Sequence, residues 1–93
     1  KKFKIAIVGA TGAVGREMLD VVFQFNFPFE SIKLLASARS AGKEMIEGHK
    51  FVVEELTENS FEGVEVAFWS AGGSISEKYM KNAVEAGCVN IDN

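Results

Sequence analysis

Cysteine, proline and histidine occur once each in the 93 residues. A single cysteine, Cys88, cannot close an internal disulfide, so a disulfide framework is excluded and a reducing, cytoplasmic setting is the expectation. The close-spaced His, Cys and acidic ligand sets of metal centres are also lacking, and no metal site is expected. No apolar run approaches the roughly 20 residues of a membrane span. The opening Lys1-Lys2-Phe3-Lys4 runs directly into a strand-like segment, without the longer apolar stretch and small-residue cleavage site of a secretory signal. Charge of one sign is not in excess either. Ten basic and thirteen acidic residues leave a net charge of −3, with no basic stripe, which argues against nucleic acid or an acidic membrane as partner. Internal repeats, low-complexity segments and linkers are absent from the pattern.

What is present is an ordinary globular composition, 47% hydrophobic and 25% charged, enough for one core. Residues 1–93 read as one domain with a thin stability margin. FKIAIV at 3–8 is a continuous apolar run of the kind a parallel strand shows when both of its faces are covered. Residues 13–25 carry Val14, Met18, Val21, Val22 and Phe25 at helical spacing, with Arg16, Glu17, Asp20 and Gln24 off the stripe. Pro28 disfavours helix at the residue before it, so 26–28 predicts the stop. Residues 32–36 predict a second strand, 37–43 a small polar loop, and 45–54 a hairpin turning near Gly48-His49. Residues 57–63 read as a polar connection, 64–69 as a buried strand, and 70–73 as a glycine turn. Ser74-Ile75-Ser76-Glu77 fits a capping box, with Ser76 as the competing cap. The helix it opens runs to about 86, with Gly87 as its stop, and 89–92 is the last strand. This alternation predicts an α/β fold, a Rossmann-type doubly wound and mainly parallel sheet of four main strands plus a hairpin, hence a partial one. The apolar strand at 89–92 is expected to leave an exposed edge, and with it weak stability or self-association of the isolated chain.

Gly9-Ala10-Thr11-Gly12-Ala13-Val14-Gly15 follows the first strand and opens the first helix, where a phosphate loop must sit. The first glycine permits the sharp turn, the second lets a pyrophosphate approach the backbone, and the third lets the helix pack on the sheet. Free N–H groups and the helix dipole then favour an anion. The spacing is G-x-x-G-x-x-G, and its weight comes from its context between strand and helix. If the strand at 64–69 returns to the far side of the first, the turn around Ser70, Ala71 and Gly72 faces the loop across one crevice. Folds that take NAD place an acid at the end of the second strand for the ribose 2′-hydroxyl; here that place holds Ala36-Ser37-Ala38-Arg39-Ser40, without an acid. Arg39 offers a planar donor fork for a 2′-phosphate, Ser37 and Ser40 offer hydroxyls, and Lys43 is a further cation. The reading is therefore NADP over NAD.

Three residues invite a chemical role and are read as structural. Cys88, after Gly87 at the start of a strand, lies at the end of the sheet opposite the crevice and reads as a buried small residue. His49 reads as a solvated turn residue, because no partner is forced by spacing. Trp69 reads as core.

Together these segments closely resemble the N-terminal domain of the aspartate-β-semialdehyde dehydrogenase family. The matching runs are Val8 through Gly15, Phe27-Pro28, Leu35 through Lys43, Glu55-Leu56-Thr57, Ser70-Ala71-Gly72-Gly73-Ser74 and Ile91-Asp92-Asn93, an ordered series covering essentially the whole chain. The resemblance implies that Thr11, Gly12, Ala13 and Val14, with Gly9, line the pyrophosphate site. It implies that Arg39 and Ser40 meet the 2′-phosphate with Ser37 nearby, and that Thr57 and Ser70, Ala71 and Gly72 lie along the adenosine and nicotinamide path. It further implies a homodimeric or homotetrameric parent enzyme that reduces L-aspartyl 4-phosphate to L-aspartate 4-semialdehyde with NADPH, on the route to lysine, diaminopimelate, methionine and threonine. The family's cysteine nucleophile, histidine acid/base and substrate-binding arginines have no counterpart in this sequence, and no Asn-Cys motif surrounds Cys88. No catalytic residue is therefore assigned, and the isolated chain is expected to bind cofactor without catalysing. Two alternatives remain. One is an N-acetyl-γ-glutamyl-phosphate reductase-type domain, disfavoured by the 35–43 and 70–74 segments. The other is a stand-alone nucleotide-binding module without chemistry.

Overall fold

The structure is a computed structural model, which describes residues 2–47, 49–70 and 73–92. In chain order it contains β1 (Phe3–Val8), α1 (Ala13–Gln24), β2 (Phe29–Ala36), β3 (Glu44–Glu47), β4 (His49–Val52), β5 (Glu54–Glu55), β6 (Val66–Trp69), α2 (Gly73–Glu85) and β7 (Val89–Asp92). Five strands form one parallel sheet in the order β5-β2-β1-β6-β7, and β3 and β4 form a separate antiparallel hairpin. The sequence therefore proceeds from β1 outward to one side and then crosses back to the other, as a doubly wound sheet does.

Alternate residues of β1 serve opposite faces, which is why the whole run is apolar. Ile5 and Ile7 pack with Leu19 and Val22 of α1, while Ala6 and Val8 pack with Trp69 and Ala83 on the α2 side. Both helices stop in the same way. After α1, Asn26 takes a positive φ of 52°, with Phe27 N–H bonded to Val22 O and Asn26 N–H to Phe23 O. After α2, Gly87 takes φ of 88°, with Cys88 N–H bonded to Ala83 O and Gly87 N–H to Val84 O. Both are Schellman closures, so Asn26 rather than Pro28 supplies the geometry that ends α1.

The strand expected at 32–36 begins three residues earlier, at Phe29. The Phe3 N–H bonds the Pro28 carbonyl at 3.0 Å, so the chain enters the sheet as soon as it leaves the break. The 45–54 segment is a hairpin followed by a fifth sheet strand. Val53, almost fully buried, exchanges hydrogen bonds with the loop before the hairpin (Val53 N–H to Lys43 O, Gly42 N–H to Val53 O, both 2.8 Å), and this hands the chain to β5 beside Leu35 and Ala36. The hairpin's turn residue Gly48 lies outside the described residues, as does the side chain of His49. The polar connection at 57–63 hides a core residue: Phe61 is fully buried and stacks on Trp69 at 5.4 Å between centroids. The strand expected from 64 starts at Val66, because Val64 closes that turn through an N–H bond to Phe61 O. Helix α2 begins at Gly73, which puts Ser74 inside its first turn and Ser76 buried against the sheet; neither is the cap that the sequence pattern suggested. At the open edge, Val89 and Ile91 of β7 are 61% and 46% exposed. Among the described residues no helix is long and apolar enough to cross a membrane.

Candidate dinucleotide site

Because β1 leads to one side of the sheet and β6 lies on the other, the loops after their C-terminal ends diverge and leave a crevice between them. Gly9 turns the chain out of β1 with φ of 80°, a conformation that L side chains rarely adopt, and its N–H and that of Ala10 both bond Leu35 O. Gly12 caps α1 with φ −78° and ψ 169°. The first helical bond runs from Arg16 N–H to Gly12 O, so the N–H groups of Ala13, Val14 and Gly15 precede the helical ladder. No side chain caps them, and the first turn contains no acid. This is a helix end left open to an anion.

The three glycines have different reasons. A Cβ on Gly15 would sit on the Gly9 carbonyl and 2.7 Å from the Ala10 Cα, so the close packing of helix on strand needs that glycine. A Cβ on Gly12 would meet nothing nearer than Gly9 O at 3.6 Å. The protein does not require Gly12 to lack a side chain, so the space it leaves suits something else.

A cleft of about 420 Å³ opens from this loop. Gly9, Thr11, Gly12, Ser37 and Ser70 line it. Of the remaining expected residues, Ala13 and Val14 place their backbone at the helix start, while the Val14 side chain faces a separate apolar groove with Val21 and Phe25. That groove has no phosphate loop and few polar groups, so it is not the crevice. Arg39 and Ser40 lie in the turn after β2, closed by Ser40 N–H to Ser37 O at 2.9 Å. Arg39 is exposed and has no ion pair or hydrogen bond among the described residues. Thr57 does not line the cleft. Its N–H bonds Ser60 Oγ at 2.8 Å and its hydroxyl accepts the Asn59 N–H, so it builds the turn that buries Phe61. Ala71 and Gly72 lie outside the described residues.

The Ser70 hydroxyl donates to Val8 O at 2.8 Å and lies 3.0 Å from Gly9 O, stapling the end of β6 to the start of the phosphate loop. Glu55, Leu56, Ile75, Lys78 and Tyr79 also line the cleft, and none of them was assigned to the site from sequence. The signal for Ile75 and Tyr79 was available, since they are four apart on a helix that follows the second glycine turn.

Trp69 is fully buried and donates from Nε1 to Asn90 Oδ1 at 3.0 Å, as a core residue does. Cys88 lies at the opposite end of the strands, its Sγ 3.1 Å from Val64 O. Burial raises its thiol pKa, which keeps it protonated and a poor nucleophile. No cluster of His, Cys, Asp or Glu that could hold a metal occurs among the described residues.

Residues 4–93 match the family model described as semialdehyde dehydrogenase, NAD binding domain. The aspartate-semialdehyde dehydrogenase of Campylobacter jejuni is 59% identical over all of this chain and 28% of its own length. That of Bacillus subtilis is 47% identical over 96% of this chain and 26% of its own. Among solved structures, aspartate semialdehyde dehydrogenase II of Vibrio cholerae, in complex with ASA, superposes with a TM-score of 0.94 at 45% identity, over 100% of this chain and 31% of that one. The Candida albicans aspartate semialdehyde dehydrogenase with NADP gives a TM-score of 0.83 at 27% identity, over 100% of this chain and 30% of that one. The chain thus spans under a third of these relatives, and it belongs to the semialdehyde dehydrogenase NAD-binding domain family.

Proposed function

We propose that this chain is the NADP-binding part of an aspartate-semialdehyde dehydrogenase, reducing L-aspartyl 4-phosphate to L-aspartate 4-semialdehyde with NADPH in the cytoplasm. The observation that carries the reading is the uncapped start of α1 at the switch point of the sheet, beside a second-strand turn that offers Arg39 and no acid. In this reading the N–H groups of Ala13, Val14 and Gly15 hold the pyrophosphate, and Gly12 gives it room. Arg39, with Ser37 and Ser40, holds the 2′-phosphate. Leu56, Ile75 and Tyr79 supply an apolar wall for the adenine. Ser70 holds the ends of β1 and β6 together beneath the cofactor. The bound nicotinamide would supply hydride, while the substrate, the nucleophile that attacks it and the assembly into dimers or tetramers belong to the complete enzyme. The relatives' names favour this over the N-acetyl-γ-glutamyl-phosphate reductase alternative.

Calorimetric titration with NADP and with NAD at low phosphate tests the reading. NADP should bind more tightly, and Arg39→Ala should weaken NADP roughly tenfold or more while changing NAD little, since a charge-assisted hydrogen bond is worth about 1.5–3 kcal/mol. Equal affinities that Arg39→Ala leaves unchanged would remove the 2′-phosphate assignment.

A further inference from the structure

Two side chains tie down the phosphate loop: Ser70, which holds Gly9, and Arg16, whose Nε donates to Thr11 O at 3.2 Å. Arg16 is the fourth residue of α1, and helical side chains lean toward the N-terminus, so it reaches back over the loop. The Thr11–Gly12 peptide is thereby pinned at both ends, its carbonyl by Arg16 and its N–H by Gly9 O at 3.1 Å. The orientation of this peptide matters to an anion. Turned over, it would carry a carbonyl oxygen, the negative end of its dipole, into the space next to the free N–H groups of α1. Arg16 also stands against the helix electrostatics, since a cation in the first turn opposes the dipole and no acid there offsets it. A residue placed there against the dipole has its reason in the hydrogen bond it makes to Thr11 O, and sequences keep local conflicts of this kind at functional sites.

We propose that Arg16 is a positioning residue for the pyrophosphate: it acts through the Thr11 carbonyl to hold the Thr11–Gly12 peptide in the anion-accepting orientation. This rests on the dinucleotide reading given above. It differs from Arg39 in predicting no effect on the adenosine 2′-phosphate half of the ligand.

The test titrates the unaltered chain, Arg16→Met and Arg16→Gln with NADP and with adenosine 2′-monophosphate, which lacks the pyrophosphate. Circular dichroism checks that each variant is folded. Arg16→Met should weaken NADP about tenfold, the loss expected for one charge-assisted hydrogen bond, and leave adenosine 2′-monophosphate within about twofold. Arg16→Gln keeps an N–H donor without the charge and should recover most of the loss. Unchanged NADP affinity in Arg16→Met overturns the proposal while leaving the dinucleotide reading intact. Arg16→Gln as weak as Arg16→Met overturns it too, by making the charge and not the hydrogen bond responsible. Equal losses for both ligands overturn it by showing a general disruption. An unaltered chain that binds neither ligand removes the dinucleotide reading, and this proposal with it.

Discussion

Gly15→Ala is expected to lower the melting temperature by about 10–20 °C. The added Cβ meets the Gly9 carbonyl oxygen and the Ala10 Cα and carbonyl carbon, the latter two at 2.7 and 2.9 Å. These are backbone atoms of the turn leaving β1, not the ends of flexible side chains, so relief requires α1 to lift off the sheet. Lifting it loosens the packing of Ile7, Ala10 and Leu19, a substantial part of the core on that face. Overpacking ordinarily costs about 1–3 kcal/mol and occasionally more, and a clash this close with unyielding backbone atoms puts it at about 3–4 kcal/mol. Alanine's better helix propensity returns about 1 kcal/mol. A net loss of about 2–3 kcal/mol corresponds to the stated shift at roughly 4–8 °C per kcal/mol for a domain of this size. Thermal melts followed by circular dichroism decide the matter. A melting temperature within about 3 °C of the unaltered chain would show that the helix can move away freely, and that the third glycine is not there for packing.

The same loop shows what sequence alone could convey. Strand, glycine turn and helix were legible because each is a local signal: a continuous apolar run, a spacing of glycines, and apolar residues at helical spacing. The stripe read at Val14, Met18, Val21, Val22 and Phe25 is not the buried face, however: Val14, Val21 and Phe25 are exposed, and α1 packs through Gly15, Leu19 and Val22. The return of β6 to the far side of β1 followed from the general topology of such sheets, and the register Ile5 with Val66 through Val8 with Trp69 agrees with it. What was missed depends on contacts distant in sequence. Strand β5 is only Glu54–Glu55, two acids with poor strand propensity, and it exists because Leu35 and Ala36 offer an unpaired edge. Phe61 sits within a polar stretch and is drawn inward by Trp69. The hydroxyls of Thr57 and Ser70 look alike in sequence, yet one closes a turn and the other staples two strands. The far wall of the cleft, including Tyr79 and Lys78, comes from a helix whose placement only the crossover decides.

Gly12→Ser separates the ligand from the fold. At φ −78° and ψ 169° any residue fits the backbone, and a Cβ would make only an ordinary contact with Gly9 O at 3.6 Å. Serine is also a preferred N-cap, its oxygen accepting from the second or third N–H of the helix. Those are the N–H groups of Val14 and Gly15, which a pyrophosphate would otherwise receive. The substitution therefore fills the space and occupies the donors at once. The melting temperature should stay unchanged or rise by a few degrees, in line with a capping gain of a few tenths of a kcal/mol. Affinity for NADP should fall by about 100-fold, equivalent to losing one to two charge-assisted hydrogen bonds. The pairing with Gly15→Ala makes the argument specific, because two glycines three residues apart respond in opposite ways, one in stability and the other in binding. If Gly12→Ser keeps its NADP affinity within about threefold, the loop is not the phosphate cradle, whatever Gly15 does. If instead it unfolds the chain, Gly12 is needed by the protein itself, and the open space beside it loses its meaning as a ligand site.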